Sequence, residues 1–493
     1  MPKVFVYVPS VMAFFAFSAR NLVGWIFTSL FLVTPVAKGH FVSVEPMFWT
    51  TGDTAETIPW AKKVASSRPD AAWTMNLTDL GLAKTPHNLL LTANQLGYPI
   101  ELEGRLSSEG VKGQLKWDRT GKIIQGSFSI RSGGAKALRL GLSIRSLPTG
   151  ARLGFVGQDP DRSLWISAPK ILKAIAEQKS RAAQDSASGL YWSPIIEGET
   201  MRVMVRVPAT ANSNSVDFSI PQISHLYRVP TMPEGSATSG RSHTSCLQDA
   251  RCHPLSGQAG RSVINLVYTR EGSTFSCSGT LLNNRRRDGQ PYVVTAEHCI
   301  HDQTSADNLV IYWFFSSRGC NQRRLDPAIK VTHQGAILLY QSTDMDFSFL
   351  RLNEMPPRGA VYAGWTTTKP RKGESLMGLH HPAGEPLKIS LGQLVGFLAC
   401  KTTVTGSKDC DPSGGRGANF LQVKYDSGLT AQGSSGSGVF SNQGRYFRGN
   451  LYGSLQACGK PGGVTAYGRF ETAYYAGRLD RWLDPPIRKN KLH

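Results

Sequence analysis

A chain of 493 residues, 40% hydrophobic and 18% charged, is long enough for more than one domain with its own core and too apolar to be a disordered tail. Fifty glycines and 28 prolines argue against a helical bundle and for a loop-rich all-β fold. The formal charge of +20 comes without a concentrated basic run or a nucleic-acid motif, so it reads as solvated surface, and no nucleic-acid partner is expected.

The chain opens with two apolar runs, Val4 to Phe17 and Leu22 to Ala37, broken by Ser18-Ala19-Arg20-Asn21. Neither reaches the ~20 residues of a spanning helix. A basic residue, an apolar stretch and small residues at Ala37 and Gly39 read as a secretory signal over 1–39, cut before His40, with translation from Met12 as a variant. The alternative is an uncleaved membrane anchor, which would be the chain's one link to a membrane.

From 40 to 235 the pattern has period two. Leu138, Leu140, Leu142 and Ile144 alternate with small or polar residues, as do Val203, Val205 and Val207, then Val216, Phe218 and Ile220. These are half-buried strands of an antiparallel sandwich. One helix is expected, opening with Pro169 and carrying Ile171, Leu172 and Ile175 on one face. No catalytic constellation is visible in this region. The Pro/Gly/Ser-rich run Pro230 to Ser242 is an exposed linker, assigned to 236–245, in which Arg241 is a natural processing point.

All eight cysteines lie beyond position 245, the mark of a disulfide-stabilised exported domain. Cys246 and Cys252 have no CxxC spacing, and adjacent His380 and His381 point to opposite faces of a strand, so no metal site is implied. Short strands with glycine-rich turns run from 246 to 484. Tyr475, Leu479, Trp482 and Leu483 share one face of a closing helix stopped by Asp484-Pro485-Pro486, and a basic tail occupies 485–493.

Three stretches in this second half carry chemistry. Tyr292 to Thr295 is an apolar strand that runs into Glu297-His298-Cys299, and a bridge from Cys299 to Cys277 would pin the histidine loop. Asp344-Met345-Asp346 precedes the apolar strand Phe347 to Leu352. Gly433-Ser434-Ser435-Gly436-Ser437-Gly438 is a small-residue turn on which a hydroxyl can stand exposed, with the N–H groups of Gly433 and Ser435 facing a developing oxyanion. Alone, each has a bland reading: a core histidine, a strand-capping aspartate, a linker serine. Together they supply nucleophile Ser435, base His298 and an orienting carboxylate, Asp346, with Asp344 as its rival.

These residues resemble the chymotrypsin-like serine proteases, with "CSGTLL", "VVTAEHC", "DFSFLRL" and "GSSGSG" where that family has its first cysteine-bearing strand, histidine, aspartate and serine. A closer resemblance, from Cys246 to about Pro485, is to the secreted bacterial lysyl endopeptidases, through "SCLQDARC", "IYWFFSSRGC", "GLHHPAGEPLKIS", "YGRFETAY" and "RLDRWLDP". It implies a two-barrel protease domain over 246–484, one barrel spanning 246–357 with His298 and Asp346, the other 358–470 with Ser435. It also implies disulfides Cys246–Cys458, Cys252–Cys320 and Cys277–Cys299, which leave Cys400 and Cys410 as the fourth pair. Tyr452 and Gly453 would lie on the strand that binds substrate backbone. The 40–235 region resembles the β-rich propeptide ahead of such proteases; its rival reading is a carbohydrate- or surface-binding module.

The implied function is a secreted serine endopeptidase, periplasmic in transit, that needs no cofactor and meets protein or peptide substrates and its own propeptide. A non-catalytic protease-like adhesin and an esterase are the alternatives. In two places the sequence departs from the family. Lysyl endopeptidases carry an aspartate two residues before Tyr-Gly-Arg, where Tyr467-Gly468-Arg469 is here preceded by Thr465, and Ala431 replaces a carboxylate near the serine turn. Thr430, Ala431 and Thr465 then make a neutral pocket, which argues against lysine specificity unless Asp426 reaches it. Ser434 stands where the chymotrypsin family has the aspartate that pairs with a freed N-terminus, so that switch is absent.

Overall fold

Period-two alternation becomes sheet because each inward side chain is shielded between two layers. In a computed structural model, the described residues are 41–50, 74–79, 81, 94–102, 104–158, 163–181, 189–230, 246–404, 407–441, 443–456, 458 and 463–486. The expected signal at 1–39, the linker at 236–245 with Arg241, and all of the tail beyond Pro486 lie outside them. No described helix is long and apolar enough to cross a membrane.

The N-terminal half is a two-layer β-structure. One sheet holds Ile123–Arg131, Thr200–Pro208, Arg152–Val156 and Leu164–Ser167, edged by Thr74–Asn76 and Lys116–Thr120. The other is built on Ala137–Ser146, Asp217–Leu226 and Gln95–Glu101. Phe128, Phe155, Val203 and Val205 from the first layer and Leu138, Leu140, Leu142 and Phe218 from the second fill the space between. The helix is Ala168–Arg181, with Ile171 and Ile175 buried.

The second half forms two antiparallel barrels. In the first, Val310–Trp313, Val263–Arg270, Ser273–Leu282, Tyr292–Thr295, Phe347–Leu352 and Ala336–Ser342 follow one another around the sheet. In the second, Tyr446–Ser454, Gly438–Ser441, Ser375–His380, Lys388–Thr402, Phe420–Ser427 and Thr465–Arg469 close into a ring, because the last strand pairs back with the first. The disulfides are Cys246–Cys458, Cys252–Cys320, Cys277–Cys299 and Cys400–Cys410.

Three features differ from the sequence expectations. Residues 41–50 leave the sandwich: Ser43–Val44 pairs with Gly364–Thr366, and Met47–Phe48 with Val361–Tyr362, so the segment straps the protease half. Second, the N-terminal sheet does not end at its own edge. Gln95–Glu101 pairs with Ser273–Leu282 through Gly97 opposite Thr274, which makes one sheet of 12 strands across both halves. Beside this seam the fully buried Arg139 reaches Ser193 O (2.8 Å), Thr269 Oγ1 (2.9 Å) and Asn308 O (2.6 Å). Third, the closing helix is two short ones, Phe470–Ala476 and Asp480–Leu483. They are broken at Gly477 and at Arg478, whose φ of 50° is left-handed, and Tyr475 is exposed rather than on the buried face.

Candidate active site

The site forms where the turns after two first-barrel strands meet the turn before a second-barrel strand. His298 follows the buried strand Tyr292–Thr295, and the Cys277–Cys299 bridge ties its neighbour to the adjacent strand. Asp346 ends a turn in which its N–H donates to Thr343 O (3.1 Å), and its φ of 49° folds the carboxylate back under the histidine. His298 Nδ1 lies 3.0 Å from Asp346 Oδ1 and 2.9 Å from Oδ2, and the His298 backbone N–H donates to Oδ1 at 2.9 Å. The Asp346 side chain is only 2% exposed, whereas that of His298 is 39% exposed and so open to the cleft. Burial pulls the His298 imidazolium down, but the Asp346 charge and hydrogen bond outweigh it and the net shift is upward. Asp344 is exposed, and its carbonyl accepts from Asn419 Nδ2 (2.6 Å).

Ser435 stands on a turn held close to the histidine strand. Its carbonyl accepts from Ser278 N (2.8 Å), and Gly436, at φ 80°, packs so tightly that a Cβ would sit 2.2 Å from Thr295 Oγ1 and 2.7 Å from Ala296 N. Gly433 has φ 92°, and a Cβ there would meet Ala383 N at 2.5 Å. Among the described residues no acceptor is bonded to the N–H groups of Gly433 and Ser435. The structure records no hydrogen bond between the Ser435 hydroxyl and His298; in unliganded sites that contact is often long.

Of the pocket candidates, Thr465 lies beside the strand that carries Tyr452 and Gly453, whereas Thr430 and Ala431 lead into the serine turn. Thr465 is fully buried, with its Oγ1 2.8 Å from Ser454 Oγ and donating to Gln456 Oε1 at 3.3 Å. Gln456 is anchored both ways on Tyr425, accepting from its N–H and donating to its carbonyl, each at 3.0 Å. Thr430 is buried and Ala431 half-buried on the chain leading to Ser435, while Asp426 is exposed on the strand Phe420–Ser427. Gly453 follows Tyr452 on the strand Tyr446–Ser454. The Tyr452 ring meets the His298 ring edge-on at 6.0 Å, and its hydroxyl accepts from Lys408 N (3.2 Å).

Sequence reasoning missed three contributors. Asn450 Nδ2 donates to Asp346 O (2.7 Å), Ser278 ties the serine turn to the first barrel, and Gln456 lies beside Thr465. Only Ser278 had a local signal, as the neighbour of Cys277; the other two depend on contacts distant in sequence. Among the described residues no cluster of His, Cys, Asp and Glu is placed to hold a metal ion.

Comparison with known proteins adds the family. Residues 239–468 match the model described as "Lysyl endopeptidase, C-terminal domain", and residues 74–227 match "Lysyl endopeptidase N-terminal domain". A lysyl endopeptidase of Pseudomonas aeruginosa is 30% identical over 354 residues, which cover 68% of this chain and 70% of that protein. Among solved structures, an active-form protease of M. tuberculosis aligns at 14% identity and TM-score 0.33, covering 50% of this chain and 93% of its own. A serine endoprotease from Yersinia pestis aligns at 16% identity and TM-score 0.32, covering 50% of this chain and 68% of its own. Through the two family models and the Pseudomonas relative, the chain belongs to the lysyl endopeptidase family and is a serine endopeptidase.

Proposed function

We propose that the chain is an exported endopeptidase in which Ser435, His298 and Asp346 act as a catalytic triad. Ser435 Oγ attacks the scissile carbonyl carbon while His298 takes its proton. The oxyanion is received by the N–H groups of Gly433 and Ser435. His298 then gives the proton to the departing amine, which leaves Ser435 acylated. Water, deprotonated by the same imidazole, releases the acid and restores the serine. Asp346 holds the Nδ1–H tautomer and stabilises the imidazolium. The observation that carries this reading is the two-point grip of one buried carboxylate on both the ring and the backbone of His298.

The residue preference departs from the family name. Thr465, Ser454, Gln456 and Thr430 offer hydroxyls and an amide but no carboxylate, so the pocket suits an uncharged side chain rather than lysine. Export is supported by eight cysteines, all paired in four disulfides. The N-terminal half is read as a propeptide. Among the described residues none of 41–230 bonds to His298, Asp346 or Ser435.

The test is mass-spectrometric mapping of cuts in a mixed peptide pool by the folded chain beside its Ser435→Ala variant, which should lose about a million-fold in turnover. Cuts made only by the parent support the triad, and the residue before each cut reports the pocket. A folded, disulfide-bonded parent that cuts nothing would sink the reading in favour of a binding protein.

A further inference from the structure

Behind the serine turn lies a buried histidine that the chemistry above does not use. His380, fully buried at the end of Ser375–His380, has its Nδ1 2.8 Å from Ser434 Oγ and its Nε2 3.1 Å from Ser390 Oγ. Ser434 Oγ also accepts from Ala431 N (3.2 Å). A neutral imidazole satisfies these groups when its proton is on Nε2. Ala431 N–H donates to Ser434 Oγ, the Ser434 hydroxyl donates to His380 Nδ1, and the Nε2–H of a neutral imidazole donates to Ser390. Burial, helped by His381 and Lys388, pulls His380 down to about 3, so this neutral form holds across the working range.

The residues next to His380 grip the same turn by its backbone. Ala383 N donates to Gln432 O (2.6 Å), and Ser278 Oγ accepts from His381 N while donating to Gly433 O, both at 3.0 Å. A trans peptide points its C=O and N–H in opposite directions. Fixing Gln432 O on Ala383 therefore turns the Gly433 N–H the other way. Likewise, Ser434 O accepts from Ser437 N (3.0 Å), which sets the direction of the Ser435 N–H. In the chymotrypsin family an aspartate at the Ser434 position takes a freed N-terminal amine. Here that position is neutral, and its partner comes from inside the second barrel.

Resting on the triad reading, we propose that His380 is a positioning residue for peptide hydrolysis: through Ser434 it holds the Gln432–Ser435 turn with the Gly433 and Ser435 N–H groups aimed at the oxyanion. The lock is internal to the folded barrel, and no N-terminal amine takes part in it.

The test compares the parent full-length chain with His380→Ala, His380→Asn and Ser434→Ala. Each is measured for kcat, KM, thermal unfolding, and affinity for a peptide boronic acid against the matching peptide amide. The boronate forms a tetrahedral adduct that needs the oxyanion donors; the amide does not. His380→Ala should lower kcat and boronate affinity by on the order of 10²-fold, the scale of one lost oxyanion donor, with KM and amide affinity within about twofold. His380→Asn, whose Oδ1 can accept from Ser434, should recover at least about tenfold of that loss. If His380→Ala does not fold, Ser434→Ala cuts the same bond from the other end with a smaller change of volume. A folded His380→Ala or Ser434→Ala with parental kcat and boronate affinity would overturn the proposal. So would equal loss of boronate and amide binding, the pattern of a merely structural histidine. A parent with no Ser435-dependent cleavage sinks the triad reading itself, whereas an active parent with unaffected variants sinks only the role of His380.

Discussion

Thr465→Asp puts the reading of the specificity pocket at risk. Thr465 is fully buried and its hydroxyl faces Ser454 and Gln456, so a carboxylate there would sit where lysyl endopeptidases carry theirs. In the parent, a lysine substrate would bring an ammonium into a site whose acceptors are hydroxyls and the Gln456 amide oxygen. That oxygen already accepts from Tyr425 N and Thr465 Oγ1. Leaving one charge of a buried pair without its partner costs about 3–5 kcal/mol. At about 1.4 kcal/mol per factor of ten, that is a discrimination of roughly 10²- to a few 10³-fold in kcat/KM. The introduced carboxylate must also displace the Gln456 oxygen that now accepts from Thr465, so the lower end of the range is the expectation. The assay is kcat/KM for two peptides differing only by lysine or glutamine before the cut. Thr465→Asp should raise the lysine-to-glutamine ratio at least about 10²-fold. A parent that already favours lysine, or a ratio that moves less than tenfold in a folded variant, refutes the neutral-pocket argument.

Two further outcomes follow from the geometry. In the proposed triad His298 serves as a base only when neutral, and its net upward shift puts the acid limb of kcat/KM above the ordinary histidine value of 6.5. Asp346→Asn removes the charge that raises it, so the limb should move to lower pH while the rate falls about 10⁴-fold; a limb that stays put or climbs contradicts the assignment. Stability runs the other way: a raised folded pKa contributes stability that is fully present below the unfolded pKa and lost as pH rises through the folded one. Second, a site-specific protease sequence placed within 236–245 and cut should leave the two halves co-eluting in gel filtration. Their shared sheet and the buried Arg139 contacts do not depend on the linker. Halves that separate at micromolar concentration would contradict that reading of the seam.

What was legible in the sequence was local. A strand ending in His298-Cys299, an aspartate opening a strand and a glycine-flanked serine are each short patterns, because the chemistry constrains neighbours within a few residues. The sandwich was legible for the same reason, since the alternation at Leu138, Leu140, Leu142 and Ile144 reports one sheet face directly. The rest depends on where distant segments return. Nothing near Asn450 says that it will hold the Asp346 carbonyl, 104 positions away. Ser43–Val44 and Met47–Phe48 are too short for any periodicity to reveal, yet they strap the protease half. The closing helix was misread because its apolar spacing continues across Gly477 and Arg478, and only the backbone shows the left-handed residue that breaks it.

In the proposed triad, one carboxylate and its imidazole are supported by neutral hydrogen bonds. The Asp346 carbonyl is held by an amide, the serine turn by an imidazole between two hydroxyls, and the pocket floor by Thr465 and Gln456. Among the charges nearby, Glu297 raises and Arg270 lowers the His298 pKa, while the Lys408 ammonium is spent on Thr343 O and Thr402 Oγ1. In the wider families two of these positions are ionic: an acid in the pocket, and an aspartate that takes an N-terminal amine. A neutral network avoids the desolvation of buried ions, but every member must be satisfied for it to hold one geometry. In the described residues the partner of Ser434 is the His380 imidazole, which has no proton to lose at moderately alkaline pH. The physical expectation is a pH profile with a single limb on the acid side, set by His298 alone, and a plateau above it where the His380 lock is unchanged.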